Sequence, residues 1–303
     1  MIRLPRNEAV LNDTGPYRSS LNMLNRGETA VQRKLRRGGL AGFELTTQAT
    51  LLALVQMSPR PARYFDVGAH VGLFSALISA IFPADAVQVT AFEPTPDTAR
   101  ICREIAARNR LGYRLEQTAL LDRVGTADLY ISKKAETSNS LAEGFREAID
   151  VIEVPVQTLD HYSAETGQDP TVVKIDVETL EPAVLRGGLA TFERARPWIV
   201  CEILPKDGSN ELANVLHRLE SMGYQMHRLN LDGSLLNSDA ASVEQQASRK
   251  AHDWLLSPGP VESTLRDAIQ AWRDAIASCT EESNILVPAG TTPDPGWDAD
   301  YQP

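Results

Sequence analysis

Asp176 and Glu178 follow the apolar run Val172-Val173-Lys174-Ile175, and carboxylates so placed can take a proton from a hydroxyl or hold it in position. Alternation along a strand puts Lys174 and Asp176 on one face and Val173 and Ile175 on the other. With helices over both faces, the lysine must find a carboxylate or carry a large desolvation cost. Asp176 and Glu202, at neighbouring strand ends, are its candidate partners, and a purely structural ion pair explains Lys174 equally well. Asp176 and Glu178, with Lys174 beside them, are therefore the candidate catalytic groups. Their spacing admits Mg²⁺, which favours carboxylates, but demands no metal. His161 is a reserve base; a lone histidine after a strand more often serves packing or surface.

A second set of chemistry-bearing residues lies upstream, in Tyr64-Phe65-Asp66-Val67-Gly68-Ala69-His70-Val71-Gly72. An apolar strand, a glycine turn and a helical pattern (Leu73, Phe74, Leu77, Ile78, Ile81) build a ligand site at the carboxyl edge of a parallel sheet. Gly68 frees the main chain for close approach of a ligand. Asp66 can accept from an ammonium or hydroxyl group, and the amides of Ala69 to Gly72 favour a nearby anion. Positions one, three and six of the turn are Gly68, His70 and Leu73, so the dinucleotide fingerprint fails and a nicotinamide oxidoreductase is disfavoured. Glu93, 21 residues past Gly72, ends the next strand, where an acid takes ribose hydroxyls. An Asp-x-Gly-x-x-x-Gly turn with such a glutamate resembles a class I S-adenosylmethionine site.

The resemblance becomes specific through an ordered set of motifs. Phe65 to Gly72, Phe92-Glu93-Pro94, Thr158-Leu159-Asp160, Val173 to Glu178 and Arg196-Pro197 occur in the order of the FkbM-type methyltransferases, over roughly residues 43 to 204. This resemblance implies a Rossmann-like, class I methyltransferase fold. It also implies methyl transfer from S-adenosylmethionine to a hydroxyl of a sugar, polyketide or related bacterial metabolite. The cofactor set it suggests is Asp66, Gly68, Ala69, His70, Gly72, Glu93, Pro94, Asp176, and Thr118 and Ala119 for the adenine; Glu44, ahead of the core, reads either as reaching the methionine end or as an exposed loop acid. Ser138 and Asn139 read either as a polar loop over the acceptor or as a solvated turn, with Thr179 and Glu202 as further acceptor residues. Two positions depart from the pattern: His70 stands where asparagine is common, and Thr179 replaces a usual glycine, which would reshape the acceptor pocket. A cofactor-binding but inactive partner, or a scaffold using a basic arm, is the competing reading.

The elements that must position these groups form an α/β, doubly wound, mostly parallel sheet with an antiparallel strand near the C-terminal part. Strands are expected at Tyr64–Val67, Val87–Phe92, Tyr113–Leu121, Val172–Ile175 and Trp198–Glu202, with weaker ones at Tyr224–Leu229 and Trp254–Leu256. Ile149–Val156 reads as an edge strand because of Pro155. Thr95, with Pro96 behind it, and Thr179 read as helix caps. Residues 1–45 form an N-terminal basic arm, 46–258 the cofactor-binding domain, and 259–303 a helix (Leu265 to Ala277) with a disordered tail.

Composition sets the remaining bounds. A chain of 303 residues, 43% hydrophobic and 23% charged, can bury a sizeable core. Net charge −10 argues against a general nucleic-acid binder. Residues 1–40 carry eight Lys/Arg against Glu8, Asp13 and Glu28, a local +5 that leaves −15 elsewhere. The cluster Arg33, Lys34, Arg36, Arg37 reads chiefly as a solvated helix face, with a phosphate-bearing substrate as the alternative. Three scattered cysteines and the absence of a secretory or membrane-spanning run suggest reduced thiols in the cytoplasm, with no membrane partner. An oligomer is left open.

Overall fold

The computed structural model describes residues 1–6, 18–23, 29–132, 140–141, 148–204, 210–248 and 252–284. Ser138, Asn139 and the C-terminal segment from Gly290 lie outside them. The strands are β1 (Ile2–Arg3), β2 (Ser20–Leu21), β3 (Ala62–Val67), β4 (Val87–Phe92), β5 (Arg114–Glu116), β6 (Ala119–Leu121), β7 (Gly125–Ser132), β8 (Ala148–Thr158), β9 (Val172–Ile175), β10 (Trp198–Glu202), β11 (Gln225–Leu229), β12 (Leu235–Ser238) and β13 (Asp253–Ser257). The helices are α1 (Ala30–Gly38), α2 (Leu45–Met57), α3 (Leu73–Ile81), α4 (Pro96–Arg108), α5 (Leu159–Thr166), α6 (Glu181–Arg186), α7 (Leu189–Ala195), α8 (Glu211–Ser221), α9 (Ala240–Gln246) and α10 (Ser263–Ala277).

The central sheet runs β12-β11-β13-β10-β9-β3-β4-β5. Strands β10, β9, β3, β4 and β5 are parallel, whereas β13 enters antiparallel between β10 and β11, as expected for the C-terminal part. Chain order reverses between β3 and β9, so a crevice opens at their carboxyl ends.

Strand alternation divides the interior into two cores. Tyr64, Val172 and Val200 face α2, α3 and α10, while Phe65, Val173, Ile175, Ile199 and Cys201 face α5, α7 and α8. Helix α2 is buried almost all round and carries α10 on its outer side, where Trp272 Nε1 donates to Gln56 Oε1 at 2.8 Å. On the other face Phe65, Phe92 and Tyr162 meet edge to face at 4.9–5.6 Å, each pair adding about 0.5–1.5 kcal/mol beyond its burial.

Four expectations are corrected. The stretch Tyr113–Leu121 is two strands: β5 ends the central sheet, and β6 turns away into a separate three-stranded sheet of order β6-β8-β7. There β8 is central rather than an edge. Pro155 fits because the β6 ladder starts only at Val156, one residue later, so no donor is needed on that side. Thr179 does not cap α6; Leu180 takes that position, with no side-chain bond. Residues 1–45 are no detached arm, since Ile2, Leu4, Leu21, Met23, Leu35 and Leu40 are buried in the α2-side core. Within that segment Thr29 and Gln32 form a capping box for α1, and Arg33, Lys34, Arg36 and Arg37 remain exposed as expected.

Candidate active site

The crevice is built from strand ends pressed together. Gly68, at φ 81°, follows β3, and a Cβ there would lie 1.8 Å from the Asp176 carbonyl oxygen. The space left by its missing side chain is thus filled by the β9 end and not by a ligand, as the sequence had suggested. The Asp176 amide donates back to the Val67 carbonyl at 3.0 Å, locking the two ends in register.

The turn amides are also engaged internally. Those of Gly68 and Ala69 donate to the Phe92 carbonyl (3.1 and 3.0 Å), and that of Gly72 to Ala69 (2.7 Å). The His70 amide donates to Glu93 Oε2 at 2.8 Å. The anion this turn favours is therefore the protein's own Glu93. Glu93 Oε1 accepts from the Thr95 amide and the Thr98 hydroxyl, both at 2.8 Å. Three of its four acceptor positions are filled; the fourth, on Oε2, is left at the crevice wall.

Asp66 lies beneath the turn, fully buried, and is absent from the crevice lining. Its Oδ2 accepts from the Ser75 amide (3.0 Å) and hydroxyl (2.6 Å), which satisfies the first turn of α3. Burial raises its pKa against the opposing pull of Lys174 and Ser75. Asp66 is placed to hold the turn rather than to touch a ligand. Gly72 is likewise off the lining, its α-carbon face packed on Cys102 and Tyr113.

Lys174 sits opposite Asp66 on the neighbouring strand, and its Nζ reaches Asp176 Oδ2 at 2.7 Å, with the Phe74 ring 4.7 Å below. Of the two candidate partners, Asp176 is the one that pairs. Burial disfavours the ammonium, but Asp176, Asp66 and Glu44 outweigh it and hold its pKa above the usual value. Burial likewise pushes Asp176 up, and Lys174 together with Glu202 and His252 more than offsets it, leaving the pKa of Asp176 below its usual value. Glu202 beside it is pushed up to about 9 by burial and by the Asp176 charge. His252, next to β13, places Nδ1 3.0 Å from Glu202 Oε1 and 3.6 Å from Asp253 Oδ1; these acids raise it to about 10. Glu44, in a left-handed conformation before α2, closes the group, with its pKa raised to about 7 by burial and by Asp176.

Next to these acids the β9–α6 loop carries Glu178 (φ 51°) and Thr179 (φ 80°), two consecutive left-handed non-glycine residues. Glu181 Oε1 holds the loop by accepting from the Val177 and Thr179 amides, each at 3.2 Å. Ser140 Oγ donates to the Glu178 carbonyl at 3.0 Å. Thr179 turns out of the main crevice and lines a separate hollow of about 170 Å³ with Asp122 and Arg186.

The crevice encloses about 300 Å³ and brings together Glu44, Gly68, Ala69, His70, Glu93, Pro94, Ala119, Lys174, Asp176, Glu178 and Glu202 of the expected residues. Thr118 is buried just outside, donating to the Pro155 carbonyl at 2.9 Å. His161 is an exposed residue of α5. Sequence reading named Lys34 only within a basic cluster, and it missed Ser140, Leu141, Glu181 and His252. Glu181, three residues past Glu178, was the one with a local signal, an acid able to fold back on preceding amides. Among the described residues, no group of three His, Cys, Asp or Glu side chains has metal-holding geometry, and no helix is long and apolar enough to cross a membrane.

A family model described as "Methyltransferase FkbM domain" matches residues 66–226, just over half of the chain. The chain belongs to the FkbM methyltransferase family. It is 30% identical over 190 residues to the 31-O-demethyl-FK506 methyltransferase FkbM of Streptomyces tacrolimicus, covering 53% of this chain and 71% of that protein. Among solved structures it is similar to a methyltransferase FkbM from Methylobacillus flagellatus (14% identity, TM-score 0.42). That match covers 64% of this chain but only 43% of the Methylobacillus chain. It is also similar to a putative O-methyltransferase from Klebsiella pneumoniae (14% identity, TM-score 0.39, covering 77% and 82%).

As an FkbM-type protein the chain is an S-adenosylmethionine-dependent methyltransferase with a class I fold. The crevice chemistry fits that cofactor. Glu93 has one acceptor position left that a ribose hydroxyl would fill, Pro94, Leu120 and Leu141 would offer apolar surface to a flat base, and the acids beyond would suit a sulfonium cation. Two FkbM motif pairs serve the scaffold instead. Thr158 caps α5 through the His161 amide at 2.9 Å, and Asp160 accepts from the Ala190 and Thr191 amides at the start of α7 (3.1 and 2.7 Å). Arg196 stacks 4.7 Å over Tyr224 and donates to the Met222 and Pro258 carbonyls.

Proposed function

We propose that this FkbM methyltransferase methylates a hydroxyl of a small-molecule acceptor, of the sugar or polyketide kind. The observation that carries the reading is the meeting, in one crevice, of Glu93 from the β4 end with Asp176 and Glu178 from the β9 end. The bound cofactor supplies an activated sulfonium methyl, so the protein's task is alignment and proton removal.

In this reading Gly68, Ala69, Glu93 and Pro94 hold the nucleoside side, with Ala119 beside the adenine. Asp176, kept ionised by Lys174, orients the acceptor hydroxyl. Glu178 stands on a loop fixed by Glu181, at the place where the hydroxyl proton leaves. Glu202, its pKa raised by burial and by the Asp176 charge, stands against His252 at 3.0 Å and braces the acid group rather than serving as the base. Glu44, with its pKa near 7, is the further acid able to accept a proton at working pH.

The test is formation of S-adenosylhomocysteine with panels of sugar and polyketide hydroxyls, in wild type and in Asp176→Asn and Glu178→Gln. Loss of one general base or orienting group lowers kcat on the order of 10²–10⁴-fold. Full turnover in both variants would remove these residues from the reaction. Turnover with amine acceptors alone would remove the hydroxyl assignment.

A further inference from the structure

Helix α1 lies outside the residues matched by the family model, yet it supplies part of the crevice wall through Ala30, Val31 and Lys34. Its sequence, AVQRKLRRG, contains no acid. Residues 30, 34 and 37 share one face of a helix, so the crevice-lining stripe continues outward from Lys34 to Arg37. Both are exposed, and among the described residues neither forms an ion pair. Lys34 Nζ lies 5.2 Å over the Phe43 ring, which braces the ammonium without neutralising it.

Arg36 and Arg37 belong to the last turn, where positive charge complements the helix dipole. That account does not reach Lys34, which stands one turn earlier and against the crevice. The rest of the lining carries the acids Glu44, Glu93, Asp176, Glu178 and Glu202, and its other lysine, Lys174, is paired with Asp176. Lys34 in the crevice wall, with Arg37 one turn outward on the same helix face, four and seven residues from the helix start at Ala30, forms a local seat of positive charge beside the acids. A guanidinium fork with a neighbouring ammonium matches the oxygens of a phosphate.

We infer that Lys34 and Arg37 form an oxyanion subsite that receives a phosphate group carried by the methyl acceptor. The inference rests on the methyltransferase reading and narrows it to phosphorylated hydroxyl compounds. A free sugar phosphate and the phosphodiester arm of a carrier present the same chemistry, and the experiment separates them.

The full-length protein, saturated with S-adenosylhomocysteine, is titrated calorimetrically with inorganic pyrophosphate at low salt. Binding is expected, at least tenfold weaker in K34E/R37E and unchanged in R218E, a charge reversal of the same size per site on α8. Glucose 1-phosphate and 4′-phosphopantetheine are titrated in the same way, and the tighter of the two names the source. Circular dichroism monitors folding, and K34Q/R37Q replaces the reversal if that variant is unfolded. A wild type that takes up S-adenosylhomocysteine but none of the three phosphates overturns the subsite and leaves the methyltransferase reading standing. Equal loss in R218E, or no loss in the α1 variants, also overturns it. Failure of S-adenosylhomocysteine itself to bind strikes the methyltransferase reading instead.

Discussion

Glu93 does two jobs with one carboxylate: it ties the glycine turn to the start of α4, and it presents its last acceptor position to the crevice. Replacing it with alanine strips partners from the buried donors of His70, Thr95 and Thr98, each loss costing about 1–3 kcal/mol. Glu93→Ala is therefore expected to lower Tm by several degrees and to weaken S-adenosylmethionine binding by more than tenfold, both readable by calorimetry. The raised acids make a second prediction. Glu44 and Glu202 titrate at about 7 and about 9, against ordinary values of 4.5. A raised carboxyl pKa stabilises the folded chain below the unfolded value, and that stability is lost as pH rises through the folded one. Tm of wild type should thus fall between pH 5 and 9, and it should fall less in Glu202→Gln. Glu93 was legible from its distance past Gly72 alone. His252 was not, because it reaches Glu202 from a position remote in sequence, and nothing local marks a residue that only the fold delivers.

The β3, β4 and β9 ends form a seam with no slack. In Gly68→Ala a methyl would fall 1.8 Å from the Asp176 carbonyl, against backbone that has no rotamer to relax. Both halves of the crevice should suffer together: cofactor affinity and acceptor turnover fall in the same variant, by at least tenfold each. The neighbouring loop offers the opposite change. Thr179 holds φ 80° without being glycine, at a cost of about 1–2 kcal/mol. Thr179→Gly is expected to raise the unfolding free energy by about 1 kcal/mol, read as a higher denaturation midpoint at constant m, since it restores the residue the backbone favours. The sequence revealed that a glycine was missing there; it could not reveal that the consequence was backbone strain rather than a narrowed pocket. Most central strands and helices were readable from period and punctuation, as Val87–Phe92 and Trp198–Glu202 show. Pro155 misled because the ladder that would have rejected it begins one residue later.

At the scale of the molecule, the first 40 residues carry positive charge and core packing at once. Deleting residues 1–38 would expose surface covered by Ile2, Leu4, Leu21, Met23 and Leu35, each worth about 1.5–3 kcal/mol when buried. That sum rivals the whole stability of a domain, about 5–15 kcal/mol, so the truncated chain is expected to be unfolded by circular dichroism. A detached arm would have left the remainder folded. Charge counting found the segment's sign but not its anchorage, because its few apolar residues are spread too widely to show a period.

The bond between Glu93 and the His70 amide is made entirely within the polypeptide. The turn is thus set in its receiving shape by the polypeptide alone, and an incoming molecule meets a finished mould. A turn braced in this way leaves an incoming molecule less main chain to order on arrival, which favours faster capture.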